Sequence, residues 1–143
     1  MTTEPEIHAA GAICYAREKK KVLFLLLRSA KHGEWGPPKG KAEPNETELE
    51  TAMRELYEEA GLRRASFAAD FRETLRYEVF KKGKTCPKEV IFFLCDMGED
   101  EIRLSHEHTE AHLATMDEVE VLIPHEGLKE VFRNALKHIE KKC

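Results

Sequence analysis

The stretch GKAEPNETELETAMRELYEEAGL, from Gly40 to Leu62, changes character along its length, and that change decides how the rest of the chain is read. Its first residues close a loop that begins at Ser29, in which Gly36-Pro37-Pro38 and Gly40 interrupt any regular element. From Glu46 to Ala60, Leu49, Ala52, Met53, Leu56 and Ala60 recur at three- and four-residue spacing, which predicts an amphipathic helix. Asn45 is its predicted N-cap, with Glu48 three residues on, and Gly61 is its predicted left-handed stop.

On that helix Glu55, Glu58 and Glu59 stand at i, i+3 and i+4, so their carboxylates project from neighbouring turns of one face. Like charges this close repel, and a divalent cation relieves the repulsion. Hard oxygen ligands that leave room for water and phosphate oxygens suit magnesium. Taken alone, each glutamate reads first as a solvated residue on a polar helix face, as glutamates on helices usually are.

Outward from this centre, Ile7 to Arg17 and Val22 to Arg28 are apolar, β-rich runs separated by a turn carrying Lys19, Lys20 and Lys21. Phe67 to Phe80 and Glu89 to Asp96 read as strands around the turn Lys81-Lys82-Gly83-Lys84, and Ala111 to Thr115 as a further short strand. Asp117 is the expected cap of a short helix ending at Leu122. Leu128, Val131, Phe132, Ala135, Leu136 and Ile139 form the apolar stripe of a C-terminal helix. Strands, helix, strands, helix is the order of a mixed sheet packed between helices.

At 143 residues the chain suits one compact domain, 1–143, with a real core. A net charge of −4 argues against general nucleic-acid binding, so cations that meet an anionic ligand must be concentrated locally. Cys14, Cys86, Cys95 and Cys143 form no CxxC pair and no zinc spacing, and read as reduced thiols. The polar start MTTEPEIH and the lack of a long apolar run give a cytoplasmic location, with no membrane partner, as the default expectation. No serine sits in a GxSxG elbow, so acyl transfer has no support.

The stretch resembles the Nudix box at every fixed position: Gly40, Glu46, Arg54, Glu55, Leu56, Glu58, Glu59, Gly61 and Leu62. That resemblance implies an α/β/α sandwich with a mixed β-sheet between helices, and a loop-helix-loop holding magnesium or manganese against a diphosphate. It implies Glu58 and Glu59 as metal ligands, Glu55 as ligand or general base, and the Gly40 carbonyl as a further ligand. Arg54 would orient the carboxylates, a task its fixed fork of donors suits, and Glu46 would support the helix start. In such chemistry metal neutralises phosphate charge and acidifies water while a nearby carboxylate takes the proton, with no covalent nucleophile.

Beyond the box, FLLL at Phe24 to Leu27, WGPPKGK at Trp35 to Lys41, ETLRYE at Glu73 to Glu78, PKEVIFFL at Pro87 to Leu94 and RLSHEH at Arg103 to His108 narrow the likeness. Together they resemble the asymmetrical diadenosine tetraphosphate hydrolases of the animal and archaeal type, over roughly Ala10 to Leu113. The resemblance implies cleavage of diadenosine tetraphosphate by water to ATP and AMP; a monomer is the default expectation. Tyr77 would stack on an adenine. Lys39, Lys88 and the turn beginning at Lys81 would meet the phosphates. Glu107 would be an additional metal carboxylate or a base. Members of this group commonly carry two consecutive histidines before the loop tryptophan. Here the run is Lys31-His32-Gly33-Glu34-Trp35, so His32 is the displaced candidate for a phosphate contact; Gly36 and Lys41 are smaller departures.

Each of these residues also has a plain structural reading: Tyr77 as sheet packing, the lysine turn as a solvated hairpin, and His106 and His108 as loop-fixing hydrogen-bond partners rather than zinc ligands. The box does not choose a leaving group, so an RNA 5′-end or diphosphoinositol polyphosphate pyrophosphohydrolase is the alternative within the same chemistry. A non-catalytic nucleotide-binding module is the alternative outside it. Loss of activity should show as loss of the carboxylates, and all three are present.

Overall fold

The computed structural model describes residues 7–99, 101–105 and 108–141. Its elements in chain order are β1 (Ile7–Glu18), β2 (Lys21–Ser29), β3 (Trp35–Gly36), β4 (Lys39–Lys41), α1 (Glu48–Ala60), β5 (Ser66–Lys81), β6 (Lys84–Asp96), β7 (His108–Ala114), α2 (Met116–Leu122) and α3 (Glu126–Lys141). All seven strands join one sheet in the order β3-β2-β1-β6-β5, with β4 beside β1 and β7 beside β2. The β1–β6 pair is parallel and the other pairs are antiparallel, so the sheet is mixed as expected.

Two tight hairpins set the register. Lys19 and Lys20 (φ 48° and 71°) join β1 to β2, while Lys82 and Gly83 (φ 50° and 75°) join β5 to β6. Consecutive positive φ values are the signature of a type I′ turn, whose twist matches that of the strands it connects.

Beyond the first hairpin β1 and β2 diverge. β1 pairs β2 from Tyr15 to Glu18 but pairs β4 from Ala9 to Gly11, whereas β2 takes β3 at Leu27 and Arg28. The sheet is therefore notched where Pro37 and Pro38 run, and the Pro38 carbonyl accepts the Ala12 N–H at 3.0 Å. Strands of two and three residues show no alternation, which is why the whole Ser29–Asn45 segment reads as loop in sequence.

The two sheet faces have separate cores. On one, α2 and α3 bury Val119, Leu128, Val131, Phe132, Ala135 and Ile139 against Phe24, Val90, Phe92 and Leu94. On the other, Ala52, Leu56 and Ala60 of α1 pack on Ala10, Ala12, Leu25, Leu27 and Ile91. Removing a side chain such as Leu56 from this layer costs roughly 2–5 kcal/mol. The result is an α/β/α sandwich.

Helix α1 begins two residues later than the sequence indicates. Thr47 is the N-cap, exchanging hydrogen bonds with Glu50 in a capping box, while Asn45 sits just upstream at φ 66°. Both are good caps; Thr47 prevails because Glu50 closes the reciprocal pair and because its carbonyl starts the helix at Thr51. The apolar stripe also differs from expectation. Leu49 and Met53 are 39% and 50% exposed, while Thr51 and Glu59 are buried. Gly61 does end the helix, at φ 72° with its N–H on the Tyr57 carbonyl. At α2 the cap is Thr115 with Glu118 in a second capping box, rather than Asp117. β6 starts at Lys84, earlier than the Glu89 expected, because β5 and β6 stay paired to Lys81↔Lys84.

Candidate active site

Arg54 is the hub of the helix face. Its Nε and one terminal nitrogen grip Glu46 at 2.7 and 3.1 Å, and that nitrogen also donates to the Lys41 carbonyl at 2.9 Å. The other nitrogen, Nη1, donates to Glu55 at 2.8 Å and to Glu58 at 3.1 Å. Arg54 thus ties the loop before the helix to two of its three carboxylates. Its hydrogen bond to Glu46, with those from Thr51 and the Glu43 N–H, holds the Glu46 carboxyl down at about 2. The hydrogen bond to Glu46 first, and that to Glu55 after it, raise the Arg54 pKa despite partial burial.

Glu59, the third carboxylate, is buried, and its Oε1 accepts the Lys39 N–H at 2.8 Å. It leaves α1 at the sheet's notch and so reaches a hollow on the opposite face. Gly40 lies between the groups just described, and a Cβ there would collide with the carboxyl group of Glu55. Only glycine lets that carboxyl lie against the main chain of β4. The pleat separates the roles of the β4 residues: Gly40 faces α1, Lys39 lines the hollow, and Lys41 alternates to the same side of the strand as Lys39.

These donors are hard oxygens from three carboxylates beside a main chain stripped of its side chain, a set suited in chemical type to magnesium or manganese. Among the described residues no three acidic, imidazole or thiol groups already stand in ligand geometry. Arg54 draws Glu55 and Glu58 to itself, and the Lys39 amide draws Glu59. The expected contribution of Glu107, with His106 beside it and the side chain of His108, lies outside the described residues.

The hollow has a volume of about 630 Å³ and is lined by Glu59, Lys39, His32, Trp35, Tyr77 and His125 over an apolar floor. Tyr77, half-buried on β5, faces the His125 ring at 5.2 Å between centroids, and Lys88 Nζ lies 5.7 Å from the Tyr77 ring centre. Burial raises the Tyr77 pKa. Burial, with the charges of Lys39 and Lys41, lowers that of Lys88 to about 8. Lys81 is brought near Lys41, whose pKa it lowers, at the rim beyond the hollow's lining. Lysines 39, 41, 81 and 88 therefore form one cationic row.

His125 and Lys41 were not singled out as ligand contacts in the sequence. Lys41 alternates with Lys39 across Gly40, a signal that was legible once β4 is recognised as a strand. His125 starts α3, its Nδ1 accepting the Leu128 N–H at 3.2 Å, and only the tertiary fold brings it onto Tyr77.

An acidic helix turn held by one arginine, opening through a notched sheet onto a cation-lined hollow, defines a protein that handles phosphate anhydrides. The NUDIX domain matches residues 6–136, and the chain belongs to the NUDIX family. Within it, the chain is similar to the asymmetrical bis(5′-nucleosyl)-tetraphosphatase of Caenorhabditis elegans, at 40% identity over 71% of this chain and 74% of that protein. It is likewise similar to the Sus scrofa enzyme of that name, at 34% identity over 89% and 91% of the two chains. The crystal structure of a C. elegans Ap4A hydrolase binary complex superposes with a TM-score of 0.87, at 31% identity over 94% of this chain and 98% of that one. The Escherichia coli dihydroneopterin triphosphate pyrophosphohydrolase shares the fold, with a TM-score of 0.77 at 17% identity over 93% and 97% of the chains.

Proposed function

We propose that this chain is an asymmetrical bis(5′-nucleosyl)-tetraphosphatase, hydrolysing diadenosine tetraphosphate to ATP and AMP. The observation that carries the reading is the continuity of the hollow lined by Tyr77 and Lys39 with the Glu59 end of the acidic turn. One end of a substrate that combines a purine with several phosphates needs an aromatic face, cations and a carboxylate set in that sequence. The curated relatives named above support the same substrate.

In this mechanism Glu55, Glu58 and Glu59, with the Gly40 carbonyl and Glu107, would hold magnesium or manganese. When bound, the metal supplies neutralisation of phosphate charge and acidification of water. Tyr77 stacks on one adenine, and His125 borders the same space. Lys39, Lys41, Lys81 and Lys88 offset the charge of the polyphosphate, which no single cation could do. His32, on the hollow's wall, adds a donor. Arg54 tethers Glu55 and Glu58 at the helix turn, from which they would swing toward a bound metal. Glu55 accepts the proton of the attacking water as its oxygen bonds to phosphorus and the bridging anhydride oxygen departs with the leaving nucleotide. Cys14 and Cys95 are buried thiols outside any disulfide, which suits the reducing cytoplasm, and no helix among the described residues is long and apolar enough to cross a membrane.

The test is a substrate panel at equal concentration: diadenosine tetraphosphate, a 5′-triphosphorylated or capped RNA, and a diphosphoinositol polyphosphate. The highest kcat/KM should fall on diadenosine tetraphosphate. A preference for either of the others would retain the family chemistry and overturn the substrate.

A further inference from the structure

A second hollow lies across the C-terminal turn of α1 from the first. It has a volume of about 710 Å³ and is lined by Tyr57, Glu58, Arg63, Arg64, Glu101 and Arg103, among others. Glu58 belongs both to this groove and to the carboxylate set, whereas its neighbour Glu59 lines the Tyr77 hollow. The acidic turn is thus flanked by two cavities, one on each side. The substrate of the proposed function is likewise built with a nucleoside at each end of its phosphate chain.

The groove is furnished for a base. Tyr57 is 43% exposed, although its aromatic ring is large and apolar. The Arg63 guanidinium lies 4.4 Å from its ring centre and also donates to its hydroxyl, so the two side chains are held together at one wall. Planar guanidinium and phenol faces are both surfaces on which any purine stacks. Arg103 is fixed against the helix end, its N–H on the Ala60 carbonyl at 2.6 Å, and a Cβ at Gly61 would meet the Arg103 Cβ at 2.8 Å. Three arginines are offset by Glu58, Glu99 and Glu101 on the same walls. A near-neutral groove favours a nucleoside over a bare phosphate, since carboxylates accept from ribose hydroxyls and exocyclic amines but repel phosphate oxygens.

We propose that the Tyr57–Arg63–Arg103 groove is the subsite for the second nucleoside of a dinucleoside polyphosphate, the end not held by Tyr77. The inference rests on the dinucleoside polyphosphate reading given above. It makes the enzyme bidentate: one base in each cavity, with the phosphate chain crossing the glutamates between them. The α1 turn then selects substrates that carry a base at both ends.

The test compares diadenosine tetraphosphate with adenosine 5′-tetraphosphate, which has the same phosphates and a single nucleoside, in the wild type and in Tyr57→Leu and Arg63→Ala. Loss of one stacking contact predicts a fall in kcat/KM on the dinucleotide about tenfold larger than the fall on the mononucleotide, carried by KM. Thermal unfolding is measured alongside, and a third variant, Arg63→Lys, keeps the charge but not the planar stack and should show the same selective loss. Equal losses on both substrates, or no loss on either, overturn the subsite and leave the hydrolase reading in place. If the wild type cleaves neither diadenosine tetraphosphate nor any other dinucleoside polyphosphate, the hydrolase reading fails first and the subsite falls with it.

Discussion

Gly40→Ala is the sharpest single test of the site's geometry. The added methyl would fall on the carboxyl group of Glu55, so either the strand or the side chain must move. β4 is pinned to β1 at Ala9↔Lys41, Ala10↔Gly40 and Gly11↔Lys39, and Lys39 donates its N–H to Glu59. The side chain therefore yields, and its 2.8 Å hydrogen bond from Arg54 is lost or bent. Overpacking of this sort costs roughly 1–3 kcal/mol, which in a domain of this size lowers the melting temperature by about 2–12 °C. A catalytic carboxylate displaced by about 1 Å loses on the order of a hundredfold in rate, equivalent to about 2.7 kcal/mol of transition-state stabilisation. The assay is kcat and KM on diadenosine tetraphosphate at saturating magnesium, with thermal unfolding on the same samples. The double variant Gly40→Ala, Glu55→Ala removes the collision and should recover most of the lost stability without recovering activity. A Gly40→Ala enzyme with wild-type kcat would refute the close packing of Gly40 and Glu55 as a catalytic requirement.

Three further outcomes follow from the same geometry. Glu58→Gln should lower kcat by on the order of a hundredfold, while stability moves by less than about 0.5 kcal/mol because the side chain is 52% exposed on the helix surface; near-wild-type turnover at saturating magnesium would remove Glu58 from the site. Arg54→Lys keeps the charge but cannot span Glu46, Glu55, Glu58 and the Lys41 carbonyl at once, so kcat should fall while circular dichroism shows the fold intact, and an active Lys variant would show that the fork is dispensable. Lys88, with its pKa lowered to about 8 by burial first and by Lys39 and Lys41 second, is charged below that pH and neutral above it. Phosphate binding needs the charge, so kcat/KM should decline as pH rises through about 8, and Lys88→Arg should move that limb upward; an unmoved limb assigns it to another group. Stability responds with the opposite sense, because the unfolded chain holds this proton up to its ordinary pKa. It should rise with pH between about 8 and 10 for the wild type relative to Lys88→Met.

What was legible in the sequence was whatever a local pattern had to specify. The three-residue and four-residue spacing of Ala52, Leu56 and Ala60, closed by Gly61, can only be one helix face, and the glutamates at 55, 58 and 59 follow from it. Where two local solutions were equally good, the sequence left the choice to the fold. Asn45 and Thr47 are both capping residues, and it is the reciprocal Glu50 bond that selects Thr47. Asp117 and Thr115 present the same ambiguity, settled by Glu118. Leu49 and Met53 fit the helical period but lie off the sheet, because α1 covers it with a narrow stripe and gives the adjoining arc to Thr51 and Glu59. β3 and β4 were invisible because pairing, not alternation, makes them strands: their partners Leu27, Arg28 and Ala9 to Gly11 come from other parts of the chain. His125 is hidden for the same reason, as no spacing links the start of α3 to Tyr77.

The central claim is tested most directly by separating the products formed from diadenosine tetraphosphate with magnesium present. ATP and AMP in equal amounts are predicted, at a rate abolished by chelating the metal. Two equivalents of ADP, or an unconsumed substrate, would contradict it.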